Sequence, residues 1–336
     1  MIWSKQERVA AAFNHEMADR VPIFECLLHD GALEHFGGKK IEPGDAEGLV
    51  RAYSKCLDVS HPLWVPEENR IESDEQCFNR LKNSRSIIYG KFGFFPGIVR
   101  TYEKWTNWSS SDPFKSDELT VEWVKGQIEA EKSWNADTFF LENFENRLRG
   151  IRDWKGDMVY PEIYTMDPFY RNYMTLGIER FTYLYYDYPE LVKEWLDATL
   201  DRMLRKIEIK IKYCRSPTAM VWSDLAAKGG LLFSPDTLNE LCFPYLEQII
   251  HLLHSYDIKV IFHSDGDIYK ILPTLVDHCK IDGYNTLEVK AGVNVRQIKE
   301  EFGKRLTLVG GMNSDILAMG SAKEVVHETR VLLDYA

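Results

Sequence analysis

The sequence lacks features that would assign it to several common classes of protein. Its 336 residues include 41 lysines and arginines against 52 aspartates and glutamates, a formal net charge of −11. Nucleic acids and anionic membranes attract basic surfaces, so this balance argues against both as partners. No apolar run reaches the roughly eighteen residues of a membrane span, and residues 1–16 lack the apolar core of a signal peptide.

Motifs of several catalytic classes are missing as well. There is no GxSxG, no phosphate-binding P-loop and no GxGxxG after a predicted strand. The six cysteines are scattered without CxxC spacing, and no HxxxH or HxC completes a recognisable zinc set. We interpret the cysteines as reduced thiols of a cytoplasmic protein. Without an internal repeat or low-complexity tract, residues 1–336 are predicted to form one domain.

What the sequence does contain is an alternation of short β-rich runs and long helical segments. This alternation is typical of parallel strands joined by helices. It predicts an α/β fold of the TIM (β/α)8-barrel type with an N-terminal helical region. The predicted strands are 20–25, 58–65, 157–163, 219–224, 259–263, 283–288 and 306–310, with 138–142 as an eighth candidate.

Two segments depart from this simple alternation. Residues 167–214 predict a long helical region that breaks near Pro189. Residues 70–112 combine glycines with an alternating aromatic pattern, which suits strands and tight turns better than a helix. They predict a β-hairpin insertion.

Polar residues collect where the predicted strands end. Glu25, Asp224, His263 and Glu288 each close a predicted strand, and Asn313 lies in the turn after the last one. In a β/α barrel the reactive groups sit at the carboxyl ends of the strands. Burying such groups unpaired would cost about 1–3 kcal/mol each, so packing alone does not account for the set. Helix capping and contact with solvent are the alternatives for any one residue.

The segment 262–267, FHSDGD, is the most distinctive of these strand ends. A histidine such as His263 can titrate near neutral pH, ligate a metal or orient a substrate. Asp265 is placed to face the pocket, whereas Asp267 is predicted to accept bonds from the next helix. His263 and Asp265 are the candidate metal ligands, with zinc as the candidate ion.

Several segments, in order, resemble the uroporphyrinogen decarboxylase superfamily, which also contains cobamide-dependent methyltransferases. They are DRVPI (19–23), LGIERF (176–181), YPELV (188–192), WSDL (222–225), FSP (233–235), FHSDG (262–266) and VGGMNSD (309–315). The resemblance covers most of the chain and implies a barrel. Chains of the family continue past the last segment into a further strand, so the resemblance implies that the last β/α unit is missing and the barrel open.

The resemblance is specific enough to separate activities within the superfamily. The decarboxylases carry an arginine-rich segment after the first strand, whereas this chain reads ECLLHD at 25–30. A polycarboxylate would be repelled there, which disfavours porphyrinogen decarboxylation. Thiol-activating methyltransferases hold zinc through HxC and a later cysteine, but residues 263–265 read HSD and lack that thiolate.

Residues 263–266, HSDG, look more like those of superfamily members that move a methyl group from a small methylated donor to a corrinoid protein, and the resemblance implies a methyltransferase of this kind. The resemblance implies Asp224, His263, Asp265 and Glu25 as catalytic residues, one of which would protonate the departing oxygen or nitrogen. Candidate substrate-binding residues are Glu288, Asn285, Asn313, Lys228 and Trp222. No covalently bound cofactor is expected, because the partner protein would supply the corrinoid. A homodimer is a candidate assembly, since open sheet edges favour association.

Two alternatives stay open. A cofactor-free decarboxylase would need a cationic cluster, for which Arg100, Lys228 and Arg147 are the candidates. A degenerate, non-catalytic barrel would serve binding or assembly. Its ligand affinity would not change when the polar residues at the strand ends are substituted.

Overall fold

The computed structural model describes residues 2–62, 70–72, 99–102, 107–110, 116–136 and 141–334. Strands and helices alternate along most of this length. The strands are β1 Phe24–Glu25, β2 Val59–Ser60, β3 Arg70–Glu72, β4 Val99–Tyr102, β5 Asn107–Ser110, β6 Ile163–Met166, β7 Thr218–Trp222, β8 Ala226–Ala227, β9 Gly230–Leu231, β10 Lys259–His263, β11 Gly283–Asn285 and β12 Thr307–Leu308. The α-helices are Lys5–Phe13, Asp30–Gly37, Ala46–Cys56, Asp117–Lys132, Leu141–Trp154, Pro168–Leu176, Ile178–Asp187, Pro189–Ile211, Pro235–Leu241, Phe243–His254, Leu272–Asp277, Val295–Phe302, Ser314–Met319 and Ala322–Leu333.

The parallel strands form two groups. One is a five-stranded sheet in the order β12-β11-β10-β7-β6, and the other is the pair β1-β2. Every pairing in both groups is parallel, and Val159 joins the second group through a bridge to Val59. The predicted α/β class with a parallel sheet is confirmed. Within the described residues β12 pairs only with β11, so no hydrogen-bonded closure of a barrel is seen.

Successive side chains of a strand point to opposite faces of the sheet and so belong to two different hydrophobic clusters. Val260 and Phe262 of β10 belong to the large cluster that includes the helices, whereas Ile261 packs with Met220 and Val309 in an inner cluster. Aromatic side chains from other elements complete the inner cluster: Phe13, Phe24, Tyr164 and Trp222. Because β1, β6, β7 and β10 all contribute to it, their inward-facing residues surround one interior.

Local sequence signals account for the helix boundaries. Ser234 accepts a hydrogen bond from the Thr237 N–H at 3.1 Å, and Pro235 then opens the helix. The predicted break at Pro189 is confirmed, because a new helix begins there. A second break falls at Gly177, whose φ of +84° suits glycine. None of the described helices is both long enough and apolar enough to cross a membrane.

Two predicted strands differ from those of the structure. Leu141 and Glu142 open a helix, while residues 137–140 lie outside the described residues. In the segment 157–163 only Val159 and Ile163 pair with other strands, and β6 runs on from Ile163 to Met166. The run 138–142 is short and largely apolar, and periodicity alone cannot separate a strand from a helix in such a run.

The predicted insertion is described only in part. Within 70–112, strands β3, β4 and β5 form an antiparallel sheet in that order. Its glycine-rich centre, and residues 63–65 of the second predicted strand, lie outside the described residues. The boundaries of the insertion, and the single domain, stay predictions.

Candidate active site

Strand register aligns three polar or aromatic side chains at the carboxyl ends of neighbouring strands. His263 pairs with Trp222 of β7 on one side and with Asn285 of β11 on the other, and each is the last residue of its strand. Aligned residues of parallel strands point to the same face. The rings of Trp222 and His263 stack, with centroids 4.2 Å apart and planes 15° apart.

The hydrogen bonds of Asn285 assign the tautomer of His263. The Asn285 amide nitrogen donates to the carbonyl of Val309 at 3.0 Å, so its oxygen faces His263 Nδ1 at 2.7 Å. An amide oxygen only accepts, and Nδ1 must therefore carry hydrogen. That leaves Nε2 of a buried imidazole free to hold a proton or to bind a ligand.

Two carboxylates lie close to His263 Nε2. It is 3.7 Å from Asp224 Oδ1 and 3.6 Å from Asp265 Oδ1. The Asp265 N–H donates to Asp224 Oδ1 at 3.2 Å, which ties the two acids together. Burial raises the pKa of Asp265, and the negative charge of Asp224 adds to the effect. One ligand atom from each of the three residues lies within 4.8 Å of the others, a spacing that can hold a metal ion.

Tyrosines from the helix Pro168–Leu176 fix Asp224 in place. The Tyr170 hydroxyl donates to Asp224 Oδ2 at 2.9 Å, and the Tyr173 hydroxyl donates to the Asp224 main-chain oxygen. Burial raises the pKa of both phenols, so they stay protonated donors. The sequence reasoning missed both residues. Their spacing of three places them on one face of a helix that follows a strand, and this was the available signal.

The turns after β7, β10 and β11 are bonded to one another. Ser264 Oγ accepts from the Leu225 N–H at 3.0 Å, and a Glu288 oxygen accepts from the Gly266 N–H at 2.9 Å. Gly266 has a φ of +76°, and a Cβ there would lie 2.5 Å from the backbone of Ala226. Only glycine fits this turn, and Glu288 helps to hold it.

His61, which follows β2, lies beside Trp222 and His263. We call the region at the carboxyl ends of the strands, which these residues form together with Asp224 and Asp265, the mouth. His61 is 5% exposed, and its ring centroid lies 5.2 Å from that of Trp222 and 6.2 Å from that of His263. Burial, reinforced by His263, lowers the pKa of His61 to about 4, so its ring is neutral. The sequence reasoning did not include His61 among the site residues, because the predicted strand 58–65 placed it within the strand, whereas β2 ends at Ser60.

Comparison with known proteins identifies the family of the chain. A family model for uroporphyrinogen decarboxylase (URO-D) matches residues 169–336, half of the chain. The chain belongs to the URO-D family. This confirms the resemblance read from the sequence, and the matched half carries Asp224, His263, Asp265, Asn285 and Glu288.

One solved structure extends the likeness of this URO-D family chain to almost its whole length. It is a methyltransferase from Methanosarcina mazei, with a TM-score of 0.58 and 17% sequence identity, over 97% of this chain and 90% of that one. At this identity the likeness concerns the fold. No curated protein sequence matches the chain significantly.

The remaining residues that were predicted to serve the site have varied positions. Glu25 ends β1, and its main-chain oxygen accepts from the His61 N–H at 3.1 Å. Its side chain keeps contact with solvent, yet partial burial raises its pKa. Asn313 caps the helix Ser314–Met319 and accepts from the Asp315 N–H. Lys228 is exposed between β8 and β9. No hydrogen bond or ion pair joins Asn313 or Lys228 to His263 in the described part of the chain.

Asp267 bonds as expected of a residue at the start of a helical turn. Its side chain accepts from the Tyr269 N–H at 2.9 Å, at the start of the 3₁₀ helix Tyr269–Ile271. This agrees with the prediction that Asp267 takes a free N–H of the following helix.

A porphyrinogen-binding member of the URO-D family would need cations at this mouth. Across the described ranges, neither lysine nor arginine pairs with Asp224 or Asp265, and the basic side chain beside both is that of His263. Arg147 donates to the Tyr160 hydroxyl at 3.1 Å and Lys228 is exposed on a hairpin. The side chain of Arg100 lies outside the described residues. The described carboxylates at the mouth would repel a polycarboxylate substrate. The described residues therefore give no support to the decarboxylase alternative.

Proposed function

We propose that this chain is a methyltransferase that takes a methyl group from a small donor and passes it to a corrinoid protein. The observation that carries the proposal is His263 Nε2 facing Asp224 and Asp265, without a lysine or arginine partner among the described residues. Membership of the URO-D family and the fold of a methyltransferase support it. The acidic mouth argues against the polycarboxylate substrate of a porphyrinogen decarboxylase.

Each side chain has a distinct role in this proposal. Asn285 holds the imidazole through Nδ1, so that Nε2 points at the carboxylates. Tyr170 and Tyr173 orient Asp224 through hydrogen bonds to its carboxylate and to its main-chain oxygen. When the methyl group leaves, its former bonding electrons stay on the donor atom. A neutral oxygen or nitrogen donor needs a proton there, which an imidazolium between two carboxylates can supply, whereas a positively charged donor needs none.

Zinc is a candidate occupant of the same three residues. One imidazole nitrogen and two carboxylate oxygens fit a divalent ion, but they lack the thiolate that favours a zinc-bound thiolate substrate. His263 and Asp265, together with Asp224, would hold the ion, which when bound would polarise the donor atom. An ion there would displace the proton from Nε2 and offset the negative charge. Elemental analysis of the purified protein decides between these occupants.

Methyl transfer to free reduced cobalamin tests the proposal. The purified chain is mixed with a panel of methylated amines, sulfonium compounds and methyl ethers, and formation of methylcobalamin is followed spectroscopically. Asp224→Asn and His263→Ala should each lower the rate by about 100-fold or more. Asp201→Asn is the matched control, because Asp201 is exposed and pairs only with Arg205 one helical turn away.

Two results would contradict the proposal. One is methyl transfer that persists in both site variants. The other is release of carbon dioxide from a porphyrinogen by a protein that transfers no methyl group from the panel.

A further inference from the structure

The described carboxylates at the mouth outnumber the groups that can carry positive charge there. Glu25, Asp224, Asp265 and Glu288 lie at the carboxyl ends of four different strands, and none forms an ion pair with lysine or arginine among the described residues. Asp224 and Glu288 both add to the negative field that acts on Asp265. His61 is neutral and offsets none of this charge. The mouth therefore attracts a cation and repels an anion.

Aromatic rings occupy the same mouth. Trp222 is half-buried, stacks on His263, and has the ring of Tyr164 edge-on with centroids 5.2 Å apart. The indole Nε1 of Trp222 is buried without a hydrogen-bond partner in the described structure. Trp222 therefore donates no hydrogen bond to the described residues, and its ring is an aromatic surface beside the acids. Acids next to aromatic rings recognise alkylated cations.

We propose that the methyl donor is an onium compound, whose methyl group is attached to a positively charged nitrogen or sulfur. This inference rests on the proposed function and names its substrate class. A quaternary ammonium or sulfonium centre has no hydrogen to donate, so hydrogen bonds cannot select it. Attraction to ring faces and to nearby carboxylates can, and Trp222 with Asp224 and Asp265 supplies both.

The positive charge of such a donor also allows the methyl group to be transferred without a proton donor. The bond between the methyl carbon and nitrogen or sulfur breaks, and its electron pair stays on the heteroatom. The methyl carbon forms its new bond with the electron pair of the corrinoid nucleophile. The leaving group departs as a neutral tertiary amine or thioether, so no proton is consumed. A thioether product carries no charge, so it loses its attraction to the carboxylates and is released.

Binding of a matched ligand pair tests this inference without any corrinoid. Choline and 3,3-dimethylbutan-1-ol have the same shape, but only choline is charged. Calorimetric titration of the protein after EDTA treatment should show choline binding at least about tenfold more tightly, with tetramethylammonium and trimethylsulfonium ions competing for its site. Trp222→Leu should weaken choline about tenfold, whereas Trp222→Phe keeps a ring and should stay within about threefold. Asp265→Asn should weaken choline, and Asp201→Asn should not.

The outcomes separate this inference from the proposed function. Equal affinity for choline and its neutral isostere overturns the inference, as does metal bound stoichiometrically that cannot be removed without loss of folding. Methyl transfer from neutral methyl ethers alone also overturns it, while leaving the proposed function standing. Selective choline binding that is lost in Trp222→Leu and retained in Trp222→Phe supports the substrate class, even if no methyl group is transferred and the proposed function fails. Competition by the ammonium or the sulfonium ion identifies which onium centre the site prefers.

Discussion

Acidic residues lie at both ends of the parallel strands, but among the described acids next to a strand only those at the amino ends pair with lysine or arginine. At the amino ends, Asp58, Glu162 and Asp282 directly precede β2, β6 and β11. Each accepts from a backbone N–H and from at least one basic side chain. Their basic partners are Arg8 and Arg20 for Asp58, Arg152 for Glu162, and His254 and Lys259 for Asp282.

At the carboxyl ends the acids are not paired in this way. Among the described residues, the ionisable base beside Asp224 and Asp265 is His263. Asp167, which directly follows β6, is fully buried beside Cys242 without a cation in the same part of the chain. The difference indicates which acids stabilise the fold. Ion pairs offset the free-energy cost of burying the amino-end acids. No such pairs among the described residues offset this cost for the carboxyl-end acids, as is common for residues of a functional site.

Breaking an amino-end pair should have the largest effect on stability. Asp58→Asn should lower the free energy of unfolding by about 3–5 kcal/mol, because it leaves Arg8 and Arg20 without their buried partner. Urea denaturation at neutral pH measures this. Asp201→Asn, at an exposed pair, should leave the midpoint unchanged. An Asp58 variant as stable as the parent would show that the acids at the amino ends of the strands do not stabilise the fold more than those at the carboxyl ends.

The pH dependence of stability should have opposite signs at the two ends. Burial raises the pKa of Asp167 to about 6, so its protonated form is favoured by folding and stability is lost as the pH rises through about 6. Asn caps a helix as well as Asp. Asp167→Asn should therefore match the parent near pH 4 and exceed it by about 2–3 kcal/mol above pH 7.

Asp58 should behave in the reverse sense. Burial would raise its pKa, but the bonds from Arg20 and Ile23 outweigh burial and hold the pKa below its ordinary value. Its contribution is therefore present at neutral pH and lost as the pH falls. Unfolding curves of the parent and both variants across pH 4–8 measure both effects, and an Asp167 advantage that is the same at every pH would contradict the assignment.

The smallest effect on stability is expected at the candidate site itself. Asp224→Asn should change the free energy of unfolding by no more than about 1 kcal/mol, because Asn keeps an oxygen for Tyr170 and removes charge beside Asp265. The same variant should lose methyl transfer. Thermal unfolding and the methylcobalamin assay on one preparation check both. A large loss of stability would place Asp224 with the structural acids.

Sequence patterns predicted the strand at the centre of the five-stranded sheet best. The run 259–263 is strand β10 with the bounds expected, and its terminal His263 lies beside Trp222 and Asn285 as parallel register requires. The run 138–142 also ends in a polar residue, Glu142, yet Leu141 and Glu142 open a helix, and the segment 157–163 pairs only at Val159 and Ile163. In runs as short as these, the residue pattern alone does not fix the secondary structure.

The residues that the sequence did not reveal act across the chain. Tyr170 and Tyr173 bond Asp224 more than fifty residues away, and His61 meets Trp222 from β2. The spacing of Tyr170 and Tyr173 indicates that they share a helix face, but the residue that this face contacts depends on how helices and strands pack. Whether an acid has a basic partner also depends on the folded structure. Asp58 pairs with arginines and, among the described residues, Asp224 does not, although the sequence alone does not distinguish the two.

The interlocked turns after β7, β10 and β11 bear on how new specificities could arise in this protein. Gly266 touches the backbone of Ala226, its N–H is held by Glu288, and Leu225 is held by Ser264. A substitution in one turn shifts its neighbours, so its effect depends on what the other two contain. Laboratory evolution that varies one turn at a time should stall, and libraries that randomise adjacent turns together should reach functional variants that stepwise searches never sample.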